Sequence, residues 1–151
     1  MVNKVIHMLY IFRLYKNPWW RYLDYLGILP VEQKYCARLR NGLQLLVRAR
    51  TGDFLVVDEI FIHKIYDYAL LRLSKGDIVI DVGAHIGVFT LAAALRGASV
   101  LSLEPDPENF ELLQENIRFN GYSERVHAYR FAVAGTSGER GPWLGHSIHL
   151  F

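Results

Sequence analysis

The chain has 151 residues, of which 52% are hydrophobic and 21% charged, and it carries a net charge of +2. That length supports one domain with its own core, and the composition leaves little room for disorder. The single cysteine, Cys36, excludes an internal disulfide framework and suits a reducing compartment; a lone thiol of this kind is most often simply buried.

Charge is unevenly spread. Residues 1–50 hold nine Lys/Arg against Asp24 and Glu32, a net +7, whereas residues 51–151 hold eight against thirteen acidic residues, a net −5. Such an asymmetry can mark an anionic partner for the basic half. No run of lysine or arginine is present and no nucleic-acid-binding module is recognisable, so two differently charged surfaces and no nucleic-acid partner are expected.

The opening "MVNKVIHMLYIFRLYKNPWWRYLDYLGILP" is apolar from Val5 to Tyr15, but Arg13 interrupts the stretch and Lys16 follows. A spanning helix needs about 20 apolar residues, and no small-residue cleavage site follows, so neither a span nor a signal peptide is read. Helical patterning covers 2–15 and 18–26 and stops at Gly27 and Pro30. Residues 1–34 therefore form a helical N-terminal extension packed on the domain. A second reading lays its basic residues and Trp19, Trp20, Tyr22 and Tyr25 on a membrane surface. The expected location is cytoplasmic, with that peripheral contact as the alternative.

Residues 35–76 lead into the core. "YCARLRNGLQLLVRAR" reads as two strands around Asn41-Gly42, a two-residue hairpin signal. The following apolar segment has helical spacing from about Val57 to Leu73, and Lys75-Gly76-Asp77 is the turn out of it. Glu59 and Tyr66 lie seven apart on that helix, where packing explains them as well as any role in a site.

From residue 77 to 151 strands and helices alternate: "DIVIDV", "VFTLAAALRG", "ASVLSLEP", "PENFELLQENIRFNG", then a third strand over about Arg125 to Val133. Continuous apolar strands separated by amphipathic helices predict an α/β fold, a doubly wound Rossmann-like parallel sheet with buried strands. His63, His127, His146 and His149 have no metal-ligand spacing, and no metal is expected.

The chemistry lies in "IVIDVGAHIG", Ile78 to Gly87. Ligands of open parallel sheets sit beyond the carboxyl ends of the strands, near free helix N–H groups. Gly83 and Gly87 permit backbone angles closed to other residues and a close ligand approach. Glu104 ends the second strand, 21 residues after Gly83, where a carboxylate meets ribose hydroxyls in a nucleotide site. A dinucleotide fingerprint, G-x-G-x-x-G, would need glycine where His85 stands, and Asp81 would repel a pyrophosphate. A ligand with a ribose, positive charge and no phosphate would accept both carboxylates, and S-adenosylmethionine is such a ligand. An NAD-dependent oxidoreductase remains the weaker alternative.

These blocks resemble the FkbM-type family of S-adenosylmethionine-dependent methyltransferases, a class I Rossmann-like group. The matching segments are "DEIFIHKIYDY", "GDIVIDVGAHIGVFTLAAAL", "VLSLEPDPENFELLQENIRFNG" and "FAVAG", between about Arg48 and Gly135. The resemblance implies that Asp81, Gly83, Ala84, His85 and Gly87 surround the methionine part of the cofactor. It further implies that Glu104 takes the ribose hydroxyls and Pro105 shapes the turn beside the adenosine. Family members methylate oxygen on sugars or small metabolites, so a small-molecule or glycan acceptor is expected.

The parent sheet has about seven strands, and residues 77–151 supply the first three. The expectation is an incomplete sheet: a cofactor-binding half truncated before the acceptor site, inactive alone and self-associating through the open edge of its first strand. The alternative is a non-catalytic remnant that serves as a cofactor-binding or interaction module. No catalytic base is identified.

Overall fold

The computed structural model describes residues 2–64 and 66–133. The tail "GTSGERGPWLGHSIHLF", with His146 and His149, and the end of "FAVAG" lie outside the described residues. The chain divides into two compact units, Met1–Leu71 and Arg72–Phe151.

The first unit contains helices α1 (Val2–Leu14) and α2 (Pro18–Tyr25), strands β1 (Lys34–Arg38) and β2 (Gln44–Arg48), and helix α3 (Asp53–Phe61); α4 (Asp67–Arg72) runs to the boundary. Proline fits the first turn of α2 because its missing N–H would have no helical partner there. β1 and β2 pair antiparallel from Lys34↔Arg48 to Arg38↔Gln44. Their connection has three residues rather than the expected two. The Leu39 N–H donates to the Leu43 carbonyl at 2.8 Å, which leaves Arg40, Asn41 and Gly42 as the loop, with Gly42 at φ 102°. The loop glycine absorbs the left-handed turn, so the Asn-Gly signal marked the hairpin correctly and its length wrongly.

The inner face of the hairpin (Tyr35, Ala37, Leu45 and Val47) is buried with Ile11, Tyr15, Phe54 and Val57. A polar cluster crosses this core. Arg21 donates to Asp58 at 2.9 Å and its guanidinium lies 4.6 Å from the Phe54 ring centroid. Asp24 accepts from the Arg50 N–H at 2.6 Å and from the Tyr35 hydroxyl at 3.3 Å. Burial, reinforced by the nearby carboxylates, pushes the Tyr15 and Tyr35 phenols far above their usual range, so both stay neutral.

The single helix expected over Val57–Leu73 is two helices. The chain leaves α3 at Ile62, His63 donates back to Asp58, and Lys64 takes φ 55°. A left-handed residue cannot continue a right-handed helix.

The second unit is a β-α-β-α-β array: β3 (Ile78–Val82), α5 (Val88–Leu95), β4 (Ser99–Leu103), α6 (Pro107–Phe119) and β5 (Val126–Tyr129). The strands are parallel in the order β3-β4-β5, the Rossmann-like arrangement expected from the alternation. Among the described residues β3 is an edge strand, bonded only to β4. Leu91 of α5 and Leu112 and Leu113 of α6 are buried, each worth about 1.5–3 kcal/mol of transfer free energy.

The expectation of buried strands fails at β3. Ile78, Ile80 and Val82 are 82%, 51% and 52% exposed, while Val79 and Asp81 on the opposite face are half-buried. Successive side chains alternate between faces. An apolar run therefore does not show which face is covered.

Candidate functional site

The carboxyl ends of β3 and β4 carry all seven residues singled out in the sequence. Asp81 is paired across the ladder with Ser102, and the parallel register sets the two side chains beside each other on one face. Thr90, from the first turn of α5, meets both. Its hydroxyl lies 2.5 Å from Asp81 Oδ2 and 2.7 Å from Ser102 Oγ. Burial raises the Asp81 carboxyl above the usual carboxylate range; hydrogen bonds from the Thr90 hydroxyl and N–H oppose that shift, and the Glu104 charge adds to it.

The loop from Gly83 to Gly87 is held by backbone bonds. The N–H groups of Gly83 and Ala84 both donate to the Leu103 carbonyl, at 2.8 and 3.0 Å, and Gly87 donates to Ala84 at 2.8 Å. Gly83, His85 and Gly87 have φ of 76°, 52° and 87°, three left-handed residues within five. The two glycines differ in surroundings. A Cβ on Gly83 would meet nothing within 4 Å, whereas one on Gly87 would lie 2.5 Å from Leu113 Cδ1. Gly83 therefore leaves space beside the strand end, and Gly87 lets the start of α5 pack against α6. The Asn116 amide, fully buried on α6, donates to the Ile86 carbonyl at 2.9 Å and pins the loop from behind.

Glu104 is 5% exposed. Its Oε2 accepts from the His85 N–H at 2.7 Å and its Oε1 from the Asp106 N–H at 3.0 Å. The sequence puts this carboxylate where ribose hydroxyls would lie; in the structure it is buried and also ties loop to strand end. Each carboxylate oxygen retains a further lone-pair direction for a ligand hydroxyl. Pro105 is half-buried between Glu104 and Asp106, and Asp106 caps α6 by accepting from the Asn109 N–H at 2.9 Å.

Thr90, Ser102 and Asn116 escaped the sequence reading. The signal for the first two was a hydroxyl within each of two mostly apolar segments, Thr90 in "VFTLAAAL" and Ser102 in "SVLSL", which folding brings together. Among the described residues, no group of three His, Cys, Asp or Glu could hold a metal ion, and no helix is long and apolar enough to cross a membrane.

Residues 69–139 match the model of the TRM5/TYW2 methyltransferase domain. The tRNA (guanine(37)-N(1))-methyltransferase of Danio rerio is 41% identical over 54 residues, covering 36% of this chain and 11% of that protein. The 31-O-demethyl-FK506 methyltransferase FkbM of Streptomyces tacrolimicus is 38% identical over 106 residues, 68% of this chain and 40% of that protein. The structure of Pyrococcus horikoshii TYW2 in complex with MeSAdo superposes with a TM-score of 0.53 at 22% identity, over 78% of this chain and 48% of that one. The chain thus spans less than half the length of each of these proteins.

The parallel sheet with its glycine loop and strand-end glutamate has the fold of class I methyltransferases, and these matches support that class, whose cofactor is S-adenosylmethionine. The finer assignment to the FkbM type rests on a partial likeness, beside the match to the TRM5/TYW2 domain. One expectation is overturned. Relatives that act by name on tRNA conflict with the exclusion of nucleic acid and with a small-molecule or glycan acceptor. The physical reason is that folding can assemble a nucleic-acid surface from cations separated in sequence, with no charge run or compact motif to announce it.

Proposed function

We propose that this chain binds S-adenosylmethionine at the carboxyl ends of β3 and β4 and serves methyl transfer to tRNA. The observation that carries the cofactor half of this reading is the Glu104 carboxylate, buried at the end of β4 and bonded to the His85 N–H of the glycine loop. In this reading Glu104 accepts the ribose hydroxyls and Asp81 faces the cationic methionine part. Gly83, Ala84, His85 and Gly87 form the wall around that part, and Pro105 borders the adenosine. These residues would hold the cofactor, which would supply the methyl group, and the acceptor would give up a proton in the methyl transfer. Its rate depends on holding acceptor, methyl and sulfur in line.

The tRNA half is supported by the family model and the Danio rerio relative. A surface of the first unit also supports it. The Lys16 N–H donates to the Arg38 carbonyl at 2.7 Å, the Arg40 N–H to Leu14 at 2.9 Å, and the Arg40 guanidinium to the Phe12 carbonyl at 3.4 Å. These bonds gather exposed Arg13, Lys16, Arg38 and Arg40 around the exposed Phe12–Trp19 pair, whose ring centroids are 5.4 Å apart. Cations for phosphates beside aromatic faces for unpaired bases suit a folded RNA with exposed loops. The likeness to FkbM reaches 40% of that protein and does not by itself specify an acceptor. Fluorescence anisotropy with labelled tRNA at about 50 to 200 mM salt tests the reading. Binding that weakens steeply with salt supports it; no binding at the lowest salt by a chain that binds S-adenosylmethionine overturns the tRNA half.

A further inference from the structure

The Asp81 carboxylate sits at the end of a chain of hydroxyls that the strand register and the first turn of α5 assemble. Thr90 and Ser102 are both fully buried. An ionised carboxylate only accepts hydrogen bonds, so the single proton of the Thr90 hydroxyl, 2.5 Å from Oδ2, is directed at Asp81. The 2.7 Å Thr90–Ser102 bond then has one possible direction: Ser102 donates and Thr90 accepts. The order Ser102 to Thr90 to Asp81 is set by the charge at its end.

We propose that Thr90, backed by Ser102, is a positioning residue for cofactor binding: its hydroxyl fixes one oxygen of Asp81 and so orients the carboxylate for the cationic methionine part. The inference rests on the cofactor reading above. Burial disfavours the Asp81 charge, and the hydroxyl acts against that burial. The titratable groups on neighbouring elements are Glu104 at the end of β4, whose charge opposes a second carboxylate, and His85 in the loop; α5 itself brings none before Arg96, beyond its last turn. A threonine that merely filled space on α5 would be replaceable by valine without altering any titration.

The test compares wild type with Thr90→Val, Thr90→Ser and Ser102→Ala. The Asp81 carboxyl is followed by carbon NMR in the unliganded chain, and S-adenosylmethionine binding is followed by calorimetry from pH 5 to pH 9. Thr90→Val should raise the Asp81 midpoint by about one pH unit, and binding should show the same displacement, a roughly tenfold loss below the midpoint that recovers at high pH. Thr90→Ser should behave as wild type, and Ser102→Ala should shift the midpoint in the same direction by less. An unchanged midpoint in Thr90→Val overturns the proposal. Should that variant not fold, a wild-type midpoint in Ser102→Ala overturns it instead. Wild type that shows the NMR titration without binding S-adenosylmethionine would sink the cofactor reading, and with it the role assigned to Thr90.

Discussion

The Glu104 carboxylate accepts from the His85 N–H at 2.7 Å across 19 residues of sequence, joining the end of β4 to the loop that follows β3. A residue placed in this way has two duties. It shapes the loop in the free chain and, in the proposed cofactor reading, offers its remaining lone pairs to a bound ribose. The two can be separated by substitution.

Glu104→Gln retains the side-chain length and one acceptor oxygen but loses the charge. Charge-assisted hydrogen bonds contribute about 1.5–3 kcal/mol, so cofactor affinity should fall by about one to two decades while the far-ultraviolet circular dichroism stays the same. Glu104→Ala should also lower the melting temperature, because it leaves the His85 and Asp106 N–H groups without their acceptor at a cost of about 1–3 kcal/mol each if they stay buried. Wild-type affinity in both variants would remove Glu104 from the site.

The two loop glycines should respond differently to alanine. Both have positive φ, which costs a side chain about 1–2 kcal/mol. Only at Gly87 does the new methyl also collide, 2.5 Å from Leu113 Cδ1. Thermal denaturation should rank Gly87→Ala well below Gly83→Ala in stability, whereas Gly83→Ala should weaken cofactor binding out of proportion to its stability loss. The reverse ranking would contradict the two roles.

Asp81→Asn exposes the sign of the carboxylate's contribution. A carboxyl whose folded pKa lies above its unfolded value favours folding fully below the unfolded pKa. That contribution is lost as pH rises through the folded pKa. Ionised Asp81 is therefore the destabilising form near neutral pH. Asparagine should melt at or above wild type at pH 7.5, with the difference shrinking as the pH falls and Asp81 takes up its proton, yet bind S-adenosylmethionine more weakly at pH 7.5. A melting-temperature advantage that grows on acidification would contradict this account of Asp81.

On the first unit, Arg38→Glu with Arg40→Glu should weaken tRNA binding at every salt concentration. The same change should flatten the salt dependence by about one unit of log–log slope for each phosphate that is no longer neutralised. Cofactor affinity should not change. A salt slope equal to that of wild type would place the tRNA-binding surface elsewhere.

The alternation of strands and helices was legible because each helix of the second unit carries its own start and stop. Asp106-Pro107 opens α6 with a side-chain cap, and Asn120-Gly121 ends it, with Gly121 at φ 72°. The site loop was legible for a similar reason, since Gly83, His85 and Gly87 are local in sequence. Thr90, Ser102 and Asn116 were not, because each acts on a partner 9 to 30 residues away through strand register or helix packing. The break between α3 and α4 had no glycine or proline to announce it; Lys64 takes the left-handed conformation there. The exposed face of β3 was hidden by composition, since Ile78, Ile80 and Val82 look the same covered or open.

The central claim is a site for S-adenosylmethionine built on Glu104 and the glycine loop, and calorimetric titration tests it most directly. Wild type and Glu104→Gln would each be titrated with S-adenosylhomocysteine and with NAD. The account predicts one S-adenosylhomocysteine bound per chain, at least about tenfold weaker binding in the variant, and no heat from NAD. Tighter binding of NAD than of S-adenosylhomocysteine, or equal affinity in the two proteins, would contradict it.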